Sequence, residues 1–201
     1  MSEFKLYGFT IISDDQVYEP SDDTFLLADA IIKNSSLFKN RSVLEIGCGT
    51  GLLSLIASRY AKKVTASDIN PHAVTLTQRN IESNKIKNIR IINSDLFNDI
   101  KDSFDIILFN TPYLPQSSDE TIDNPINSAW DGGHDGRKVI RRFLGESIHH
   151  LNQKGILLFL ESSLSGYQQS IEYLKNQGLC AKVISTKKLD FEELVVIMAK
   201  K

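Results

Sequence analysis

The stretch VLEIGCGTG, residues 43–51, decides the fold of this chain. The segment SVLEIG, residues 42–47, has the composition of a short buried strand, and glycines stand at positions 47, 49 and 51. Glycines in such a turn let the backbone bend tightly and approach a ligand, because no Cβ atoms stand in the way. The helix-like segment GLLSLIASRYA follows directly. The stretch therefore predicts a strand, a glycine-rich turn and a helix, which is the repeating unit of parallel α/β folds.

Strand-like and helix-like segments alternate on both sides of this turn, which predicts an α/β fold with a mostly parallel sheet and helices on both faces. The predicted helices are PSDDTFLLADAIIKNSSLF (20–38), GLLSLIASRYA (51–61), PHAVTLTQRNIESNK (71–85), GRKVIRRFLGESIHHL (136–151) and YQQSIEYLKNQG (167–178). The predicted strands are GFTIIS (8–13), SVLEIG (42–47), KVTASDI (63–69), NIRIINSDL (88–96), FDIILFN (104–110), GILLFLES (155–162), LCAKVIST (179–186) and ELVVIMAK (193–200).

No helix separates the last two strands, so we expect them to form an antiparallel hairpin at the edge of the sheet. The chain shows neither repeats nor a low-complexity linker, and its 201 residues suit one domain with a full core. We therefore expect residues 1–201 to form a single domain.

Composition excludes several classes of function. The formal net charge is -2, whereas a protein that holds nucleic acid by itself usually has a basic surface, so we expect no stable binding of nucleic acid. We find neither a long apolar segment nor the basic start and apolar stretch of a signal peptide, and we expect a cytoplasmic protein with no membrane contact. The two cysteines and four histidines lack the spacing of a metal site, and we expect no metal and reduced, buried cysteines.

Three successive predicted strands end with an acid, namely Glu45, Asp68 and Asp95. Ligands of open parallel sheets bind at the carboxyl ends of the strands, where an acid about 20 residues past the glycine turn accepts hydrogen bonds from a ribose diol. Asp68 has that position. Asp95 can accept from an adenine amino group, and Leu96 can pack on the ring. The glycine spacing is not the dinucleotide fingerprint, whose third glycine would stand at Leu52. A ligand with a nucleoside and an amino-acid tail fits better.

The segments VLEIGCGTG, ASDINP (66–71) and NSDLF (93–97) together resemble motifs of the S-adenosylmethionine-dependent methyltransferases of the seven-strand, Rossmann-like class I. The resemblance implies S-adenosyl-L-methionine as cofactor and a seven-stranded, mostly parallel sheet with an antiparallel last strand. It also implies a set of cofactor-binding residues, which are Thr24, Glu45, Gly47, Cys48, Gly49, Gly51, Asp68, Ile69, Asp95, Leu96 and Asn110.

The tetrapeptide Asn110-Thr111-Pro112-Tyr113 resembles the N-P-P-Y motif of methyltransferases that act on a planar amide or amino nitrogen. Such a nitrogen is a poor nucleophile, because its lone pair is delocalised. Two acceptors that hold its two N–H groups orient it and favour the positive charge that grows as the methyl group arrives. The Asn110 side chain would be one acceptor and the carbonyl of residue 111 the other, with its direction held by Pro112. Tyr113 would offer a ring face to the planar group.

Thr111 departs from the motif, which usually has proline at that position. The carbonyl acceptor survives this change. The restraint on φ is lost and an N–H is gained, so the clamp is less rigid or Thr111 finds a hydrogen-bond partner of its own.

Two further segments resemble the HemK-like methyltransferases of the short archaeal and eukaryotic release-factor type. The first, VYEPSDDTFLLADAI (17–31), implies that Thr24 and its helix lie over the cofactor; the second, AWDGGHDGRKVIRRF (129–143), implies a glycine-rich loop (Gly132, Gly133, Gly136) that brings Trp130 and Arg137 to the substrate side. The resemblance implies methylation of the Gln side-chain amide nitrogen in the Gly-Gly-Gln loop of a class I peptide release factor. It also implies a small zinc-ribbon activator as partner, and NIRIINSDL would offer it an apolar edge strand.

Other functions stay open on the sequence. The same clamp could hold adenine N6 or guanine N2 of DNA or RNA, with the base flipped into the pocket. A protein lysine methyltransferase would need to deprotonate an ammonium group, for which an amide clamp makes no provision. A non-catalytic cofactor-binding subunit would make Thr111 a sign of lost activity, but the intact Asn110 and the three acids argue against it.

Overall fold

The computed structural model of the protein describes residues 2–115 and 132–201. In these two ranges the strands are β1 (Ser2–Leu6), β2 (Phe9–Ser13), β3 (Ser42–Ile46), β4 (Lys63–Asp68), β5 (Ile89–Asn93), β6 (Phe104–Asn110), β7 (Leu151–Ser162), β8 (Cys180–Lys188) and β9 (Glu193–Lys200). The α-helices are α1 (Asp22–Lys33), α2 (Leu52–Ser58), α3 (Pro71–Ser83), α4 (Lys138–Ser147) and α5 (Gln168–Asn176).

Seven of the strands in the described ranges form one sheet in the order β5-β4-β3-β6-β7-β9-β8. The pairs from β5 to β7 are parallel, and β9 runs antiparallel to both of its neighbours, β7 and β8. The predicted seven-stranded, mostly parallel sheet with an antiparallel last strand is therefore confirmed.

The final hairpin lies at one edge of this sheet, as expected, with β8 outside and β9 inside. Residues Leu194 to Ala199 of β9 are buried without interruption, whereas β8 exposes Lys182, Lys187 and Lys188. A strand covered on both sides reads as a continuous apolar run, and lysines protect an edge from unwanted pairing. The opposite edge is β5, whose Ile89, Ile91 and Ile92 are half-buried.

Helices cover both faces of the sheet because side chains alternate along its strands. In β6, Ile106 and Leu108 join an apolar cluster with α1 and α2, while Ile107 and Phe109 join a second cluster with α4 and α5. Each cluster forms a separate core layer. Between these two layers, the carboxyl ends of the inner strands β3, β4 and β6 lie together on one side of the sheet, at the ends of the strands.

A separate hairpin, β1–β2, packs on α3 through two side-chain amides that imitate strand pairing. Asn84 accepts from the Thr10 N–H at 3.0 Å and donates to its carbonyl at 2.7 Å, and Asn80 makes the same pair of bonds to Ile12 at 2.8 and 3.0 Å. Because the two asparagines are four residues apart on one helix face, they match alternate residues of the strand. The hairpin thereby fixes the segment that leads into α1.

Several helix ends differ from the sequence prediction. α1 begins at Asp22 with Ser21 as its N-cap residue, but the Ser21 side chain makes no capping hydrogen bond. α2 ends at Ser58, whose hydroxyl donates to the Leu55 carbonyl at 2.7 Å. No helix in the described ranges is both long enough and apolar enough to span a bilayer.

Candidate active site

A cavity of about 290 Å³ opens at the carboxyl ends of β3, β4 and β6, where the strand order reverses. This is the place where open α/β sheets bind their ligands. The cavity brings together residues from the turn after β3, from the ends of the neighbouring strands and from the helices α1, α2, α3 and α4. Predicted site residues on its wall are Thr24, Glu45, Gly47, Cys48, Gly49, Asp68, Ile69, Asp95, Leu96, Asn110 and Pro112.

All three glycines of the turn have backbone conformations that only glycine adopts easily. Gly47 and Gly49 have φ of 63° and 53°, and a Cβ on Gly47 would lie 3.0 Å from the Phe109 ring. Gly51 has φ of 80° but is not on the cavity wall, and a Cβ there would lie 2.8 Å from Thr77. Gly51 therefore serves the packing of the turn against α3.

Asp68 holds the glycine turn in place. Its Oδ2 accepts from the Gly49 N–H at 2.9 Å, and its Oδ1 accepts from the Asn70 N–H at 2.8 Å. Burial raises the pKa of this carboxyl group, and the backbone N–H groups oppose that effect. A carboxylate has about four acceptor positions, so Asp68 can still accept from a ligand.

Glu45 lies at the end of β3 and is 1% exposed. The Ser54 hydroxyl donates to its Oε2. Burial raises the pKa of Glu45 to about 8, opposed by the Ser54 hydrogen bond and reinforced by the negative charge of Asp68. Glu45 therefore binds its proton far more tightly than an exposed glutamate does.

The apolar wall of the cavity contains Ile69 and Leu96. Ile69 is 53% exposed although it is a large aliphatic residue, and Leu96 is buried with φ of 48°. An exposed apolar side chain beside a cavity offers a flat group a surface to pack on.

The two cysteines are free, and their surroundings differ. Cys48 is buried with its Sγ 3.4 Å from the Thr77 hydroxyl, and burial raises the pKa of its thiol. Cys180 is exposed on the edge strand β8, contrary to the expectation that both cysteines are buried.

Asp95 forms a bidentate ion pair with Arg142 of α4. The two guanidinium nitrogens lie 3.1 and 2.9 Å from the two carboxylate oxygens, and both residues are on the cavity wall. The pair links the segment directly after β5 to α4. Arg142 was not predicted as a site residue.

Asn110 ends β6 beside the cavity, and its amide has one fixed side and one free side. Its Nδ2 donates to Asp23 Oδ2 at 3.0 Å and lies 3.5 Å from the Thr24 hydroxyl. Its Oδ1 is buried and has no hydrogen-bond partner in the described ranges. A buried acceptor without a partner costs free energy, and such atoms mark places where a ligand can bind.

The other three residues of the tetrapeptide, Thr111, Pro112 and Tyr113, have different surroundings. Thr111 is 2% exposed and donates its hydroxyl to the Leu160 carbonyl of β7 at 2.6 Å, which is a partner of its own as one alternative expected. Pro112 is on the cavity wall, whereas Thr111 and Tyr113 are not. Tyr113 is half-buried and packs against both apolar clusters, and burial raises the pKa of its hydroxyl.

Arg137 is not on the cavity wall, and its approach to the substrate side stays a prediction. It is 5% exposed and points to the carboxyl end of β7, beside the end of β6, where its guanidinium lies 3.4 Å from Glu161 and donates to the Ser165 carbonyl at 2.7 Å and the Ser170 hydroxyl at 2.8 Å. Its charge requires a buried partner, and Glu161 supplies one. Trp130 lies outside the described residues.

The glycines before Arg137 bring this segment against the tetrapeptide. Gly132 donates to the Leu114 carbonyl at 3.0 Å, and a Cβ on Gly136 would lie 2.4 Å from the Tyr113 carbonyl oxygen. The backbone after β6 and the backbone before α4 are therefore in direct contact, which requires glycine.

Comparison with known proteins identifies the family of this chain. The model of the methyltransferase small domain family matches residues 13–189. The chain belongs to this methyltransferase family. It is 44% identical over 196 residues to MJ0928 of Methanocaldococcus jannaschii, whose name assigns it provisionally to the protein N5-glutamine methyltransferases, and 97% of each chain is covered.

Two further relatives are named for release-factor methylation. The methyltransferase is 28% identical to the eRF1 methyltransferase catalytic subunit mtq2 of Schizosaccharomyces pombe, with 90% of this chain and 87% of that one covered. It is similar to a chain in the structure of the E. cuniculi Mtq2-Trm112 complex, which methylates the eRF1 termination factor. That similarity has a TM-score of 0.73 and 25% identity and covers 92% of this chain and 99% of the other.

The sequence reasoning missed two residues that shape this methyltransferase site, Asp23 and Arg142, and also Glu161, which pairs with the buried Arg137. Asp23 and Arg142 read as ordinary charges on helices, and Glu161 as a polar residue near a strand end. Asp23 stands next to Thr24 inside the segment VYEPSDDTF, so that its place in a motif was the available signal. Glu161 had a signal as well, since an acid inside the apolar run GILLFLES needs a buried partner.

We expect Glu45→Gln to stabilise the methyltransferase increasingly as pH rises from about 5 to 8. The pKa of Glu45 is near 4.5 in the unfolded chain and about 8 in the folded protein, so that the folded state binds more protons within this window. Its contribution to stability is complete below pH 4.5 and is lost as pH rises through 8. The amide introduced by Glu45→Gln carries no titrating proton.

Denaturant unfolding at pH 5, 7 and 9 measures the difference, with Glu82→Gln on the exposed face of α3 as control. An effect of Glu45→Gln that is equal at all three pH values would contradict the prediction.

Proposed function

We propose that this methyltransferase transfers the methyl group of S-adenosyl-L-methionine to the side-chain amide nitrogen of Gln in the Gly-Gly-Gln loop of a class I peptide release factor. The observation that carries the proposal is the buried Asn110 Oδ1, which lies beside the cavity without a partner in the described ranges. An acceptor in this position suits an N–H of a primary amide, which has two N–H groups to place.

The residues of the cavity fit the proposed cofactor. Asp68, and Glu45 once it has lost its proton, are acceptors for hydroxyl and ammonium groups. Gly47 and Gly49 keep side chains out of the way, and Ile69 and Leu96 offer apolar contact to a ring. Asp95 would accept from an exocyclic amino group with the lone pairs that its ion pair with Arg142 leaves available, and Thr24 is on the wall at the start of α1. When bound, S-adenosyl-L-methionine supplies a methyl group activated by a positively charged sulfur. Cys48 is on the wall, and its thiol lies 3.4 Å from the Thr77 hydroxyl.

The residues after β6 orient the acceptor nitrogen. Asn110 Oδ1 accepts one N–H, and the Thr111 carbonyl accepts the other. The bond from the Thr111 hydroxyl to Leu160 ties that residue to β7 and replaces the rigidity that a proline would provide. Pro112 limits the geometry of its predecessor. Two acceptors held in advance favour positive charge on the nitrogen without rearrangement during the reaction. The proton leaves after methylation, since an N-methylated amide cation is very acidic, and no general base is required.

The substrate class rests on the names of the relatives together with this clamp. The fission yeast relative is named an eRF1 methyltransferase subunit, and the E. cuniculi complex is described as responsible for eRF1 methylation. The net charge of -2 fits a protein substrate better than a nucleic acid held by charge alone.

A small zinc-ribbon activator is the proposed partner. The E. cuniculi relative was solved as a complex of two proteins, and the fission yeast relative is named as a catalytic subunit. In this chain β5 is an edge strand with half-buried isoleucines at 89, 91 and 92. Such an edge offers backbone groups and apolar surface to an added strand. We expect the partner to slow hydrogen exchange of the β5 amides. The proposed partner would be contradicted if the chain alone were monodisperse and if adding the activator changed neither its activity nor the hydrogen exchange of β5.

The test is methyl transfer from labelled S-adenosyl-L-methionine. The purified chain, with and without a zinc-ribbon activator, receives a class I release factor, its Gly-Gly-Gln loop mutant with Gln replaced by Ala, total tRNA or DNA. We expect label on the release factor and none on the loop mutant. Label on nucleic acid alone would assign the same Asn110 clamp to a base amine, and the release-factor proposal would be wrong.

A further inference from the structure

We propose that Asp23 is a positioning residue that fixes the orientation of the Asn110 amide and thereby directs its Oδ1 toward the acceptor nitrogen. The proposal deepens the proposed function and rests on it, since it assumes that Asn110 holds the substrate amide. Asp23 and Asn110 are 87 residues apart in the chain and meet because the first turn of α1 lies against the end of β6.

The environment of Asp23 consists of donors. Its Oδ2 accepts from Asn110 Nδ2 at 3.0 Å, and its Oδ1 accepts from the Thr24 N–H at 2.6 Å, the Thr24 hydroxyl at 3.2 Å and the Tyr18 hydroxyl at 3.4 Å. Asp23 is 6% exposed. With both oxygens engaged and little room for rotation, this carboxylate keeps one position.

A carboxylate can only accept hydrogen bonds, and this decides which way the Asn110 amide faces. The Nδ2 side must point to Asp23, because turning the amide over would set Oδ1 against a negative charge. The opposite orientation would also put two N–H donors where the substrate amide has its own N–H groups. Asp23 therefore makes Asn110 an acceptor toward the substrate.

The negative charge of Asp23 has a second consequence for the site. The described residues show no ion pair to Asp23, whereas the neighbouring Asp22 pairs with Lys187 at 2.9 Å. Burial, followed by the charge of Asp23, raises the pKa of Tyr18 to about 12. A fixed negative potential of this kind also favours positive charge developing on a nitrogen bound nearby.

The test compares Asp23→Asn with Asp22→Asn. Both variants remove one negative charge from the first turn of α1, but Asp22 pairs with Lys187, whereas Asp23 accepts from Asn110. We expect Asp23→Asn to lower kcat by about 10- to 100-fold with little change in KM, because one charge-assisted hydrogen bond that orients the acceptor is lost. Asp22→Asn should keep wild-type activity. Equal activity of the two variants, at equal thermal stability, would overturn the proposal.

A double-mutant cycle separates positioning from a structural role. In an Asn110→Ala background we expect Asp23→Asn to have almost no further effect on kcat, because its action passes through Asn110. Full additivity would overturn the proposal.

A spectroscopic measurement decides the matter without activity. The side-chain 15N–1H signals of Asn110 should show slow exchange and a hydrogen-bonded shift in the wild type, and both should change in Asp23→Asn but not in Asp22→Asn. Unchanged Asn110 signals in Asp23→Asn would overturn the proposal. If the wild-type chain does not label a release factor, the proposed function fails, and these signals still test the contact.

Discussion

Replacing Asn110 with alanine is expected to lower kcat for glutamine methylation by about 10²–10³-fold. The estimate follows the cost of removing one donor from a preorganised oxyanion hole, since Asn110 Oδ1 is one of two proposed acceptors. The effect should fall on kcat more than on KM, because the interaction strengthens as positive charge grows on the nitrogen. Initial rates of label transfer at saturating release factor measure it.

The matched control for this variant is Asn98→Ala, which truncates an exposed asparagine away from the cavity wall. Calorimetry of S-adenosyl-L-methionine binding to both variants separates a loss of cofactor affinity, which the implied cofactor contact of Asn110 would cause, from the loss of an acceptor for the substrate amide. Activity of Asn110→Ala equal to that of Asn98→Ala would remove Asn110 from the clamp.

Replacing Arg137 with methionine is expected to lower the free energy of unfolding by about 3–5 kcal/mol, the range found when one partner of a buried ion pair is removed. The Glu161 side chain is fully buried and lies 3.4 Å from Arg137. Burial already raises the pKa of Glu161, and Arg137 opposes that rise. Without the guanidinium the carboxyl group is left uncompensated. The Ser165 carbonyl and the Ser170 hydroxyl also lose a donor.

Urea unfolding measures this loss, provided that the slope of free energy against urea is unchanged. Arg90→Met is the control, because Arg90 and Asp102 form an ion pair with both side chains about half exposed, and such pairs contribute about 1 kcal/mol or less. The double variant Arg137→Met/Glu161→Met should recover most of the stability, since it buries no unpaired charge. A loss in Arg137→Met no larger than that in Arg90→Met would show that the buried pair is not needed.

The burial of Arg137 was not predicted from the sequence. The motif around Arg137 was identified correctly, and its glycines do contact the backbone after β6 at Tyr113 and Leu114. The direction of the Arg137 side chain, however, depends on Glu161, which is 24 residues later in the chain. Local sequence does not contain that information.

The tetrapeptide Asn110-Thr111-Pro112-Tyr113 also combines features set by local sequence with features set by residues distant in the chain. Its place at the end of a strand and its proline-rich character were readable from residues 104–115, because strand periodicity and proline geometry are local properties. The bond from Thr111 to Leu160 required the neighbouring strand β7. The orientation of Asn110 required α1, from a segment near the start of the chain.

The sequence by itself determined the strand, turn and helix units, the glycine-rich turn and the acids at three strand ends, because each depends on residues close together in the chain. The tertiary structure alone decided that β9 lies between β7 and β8, that Arg137 pairs with Glu161 and that Asp23 holds Asn110. These features join side chains or strands that are distant in sequence. Their partners are selected by burial and by the need of each buried charge and amide for a complementary group.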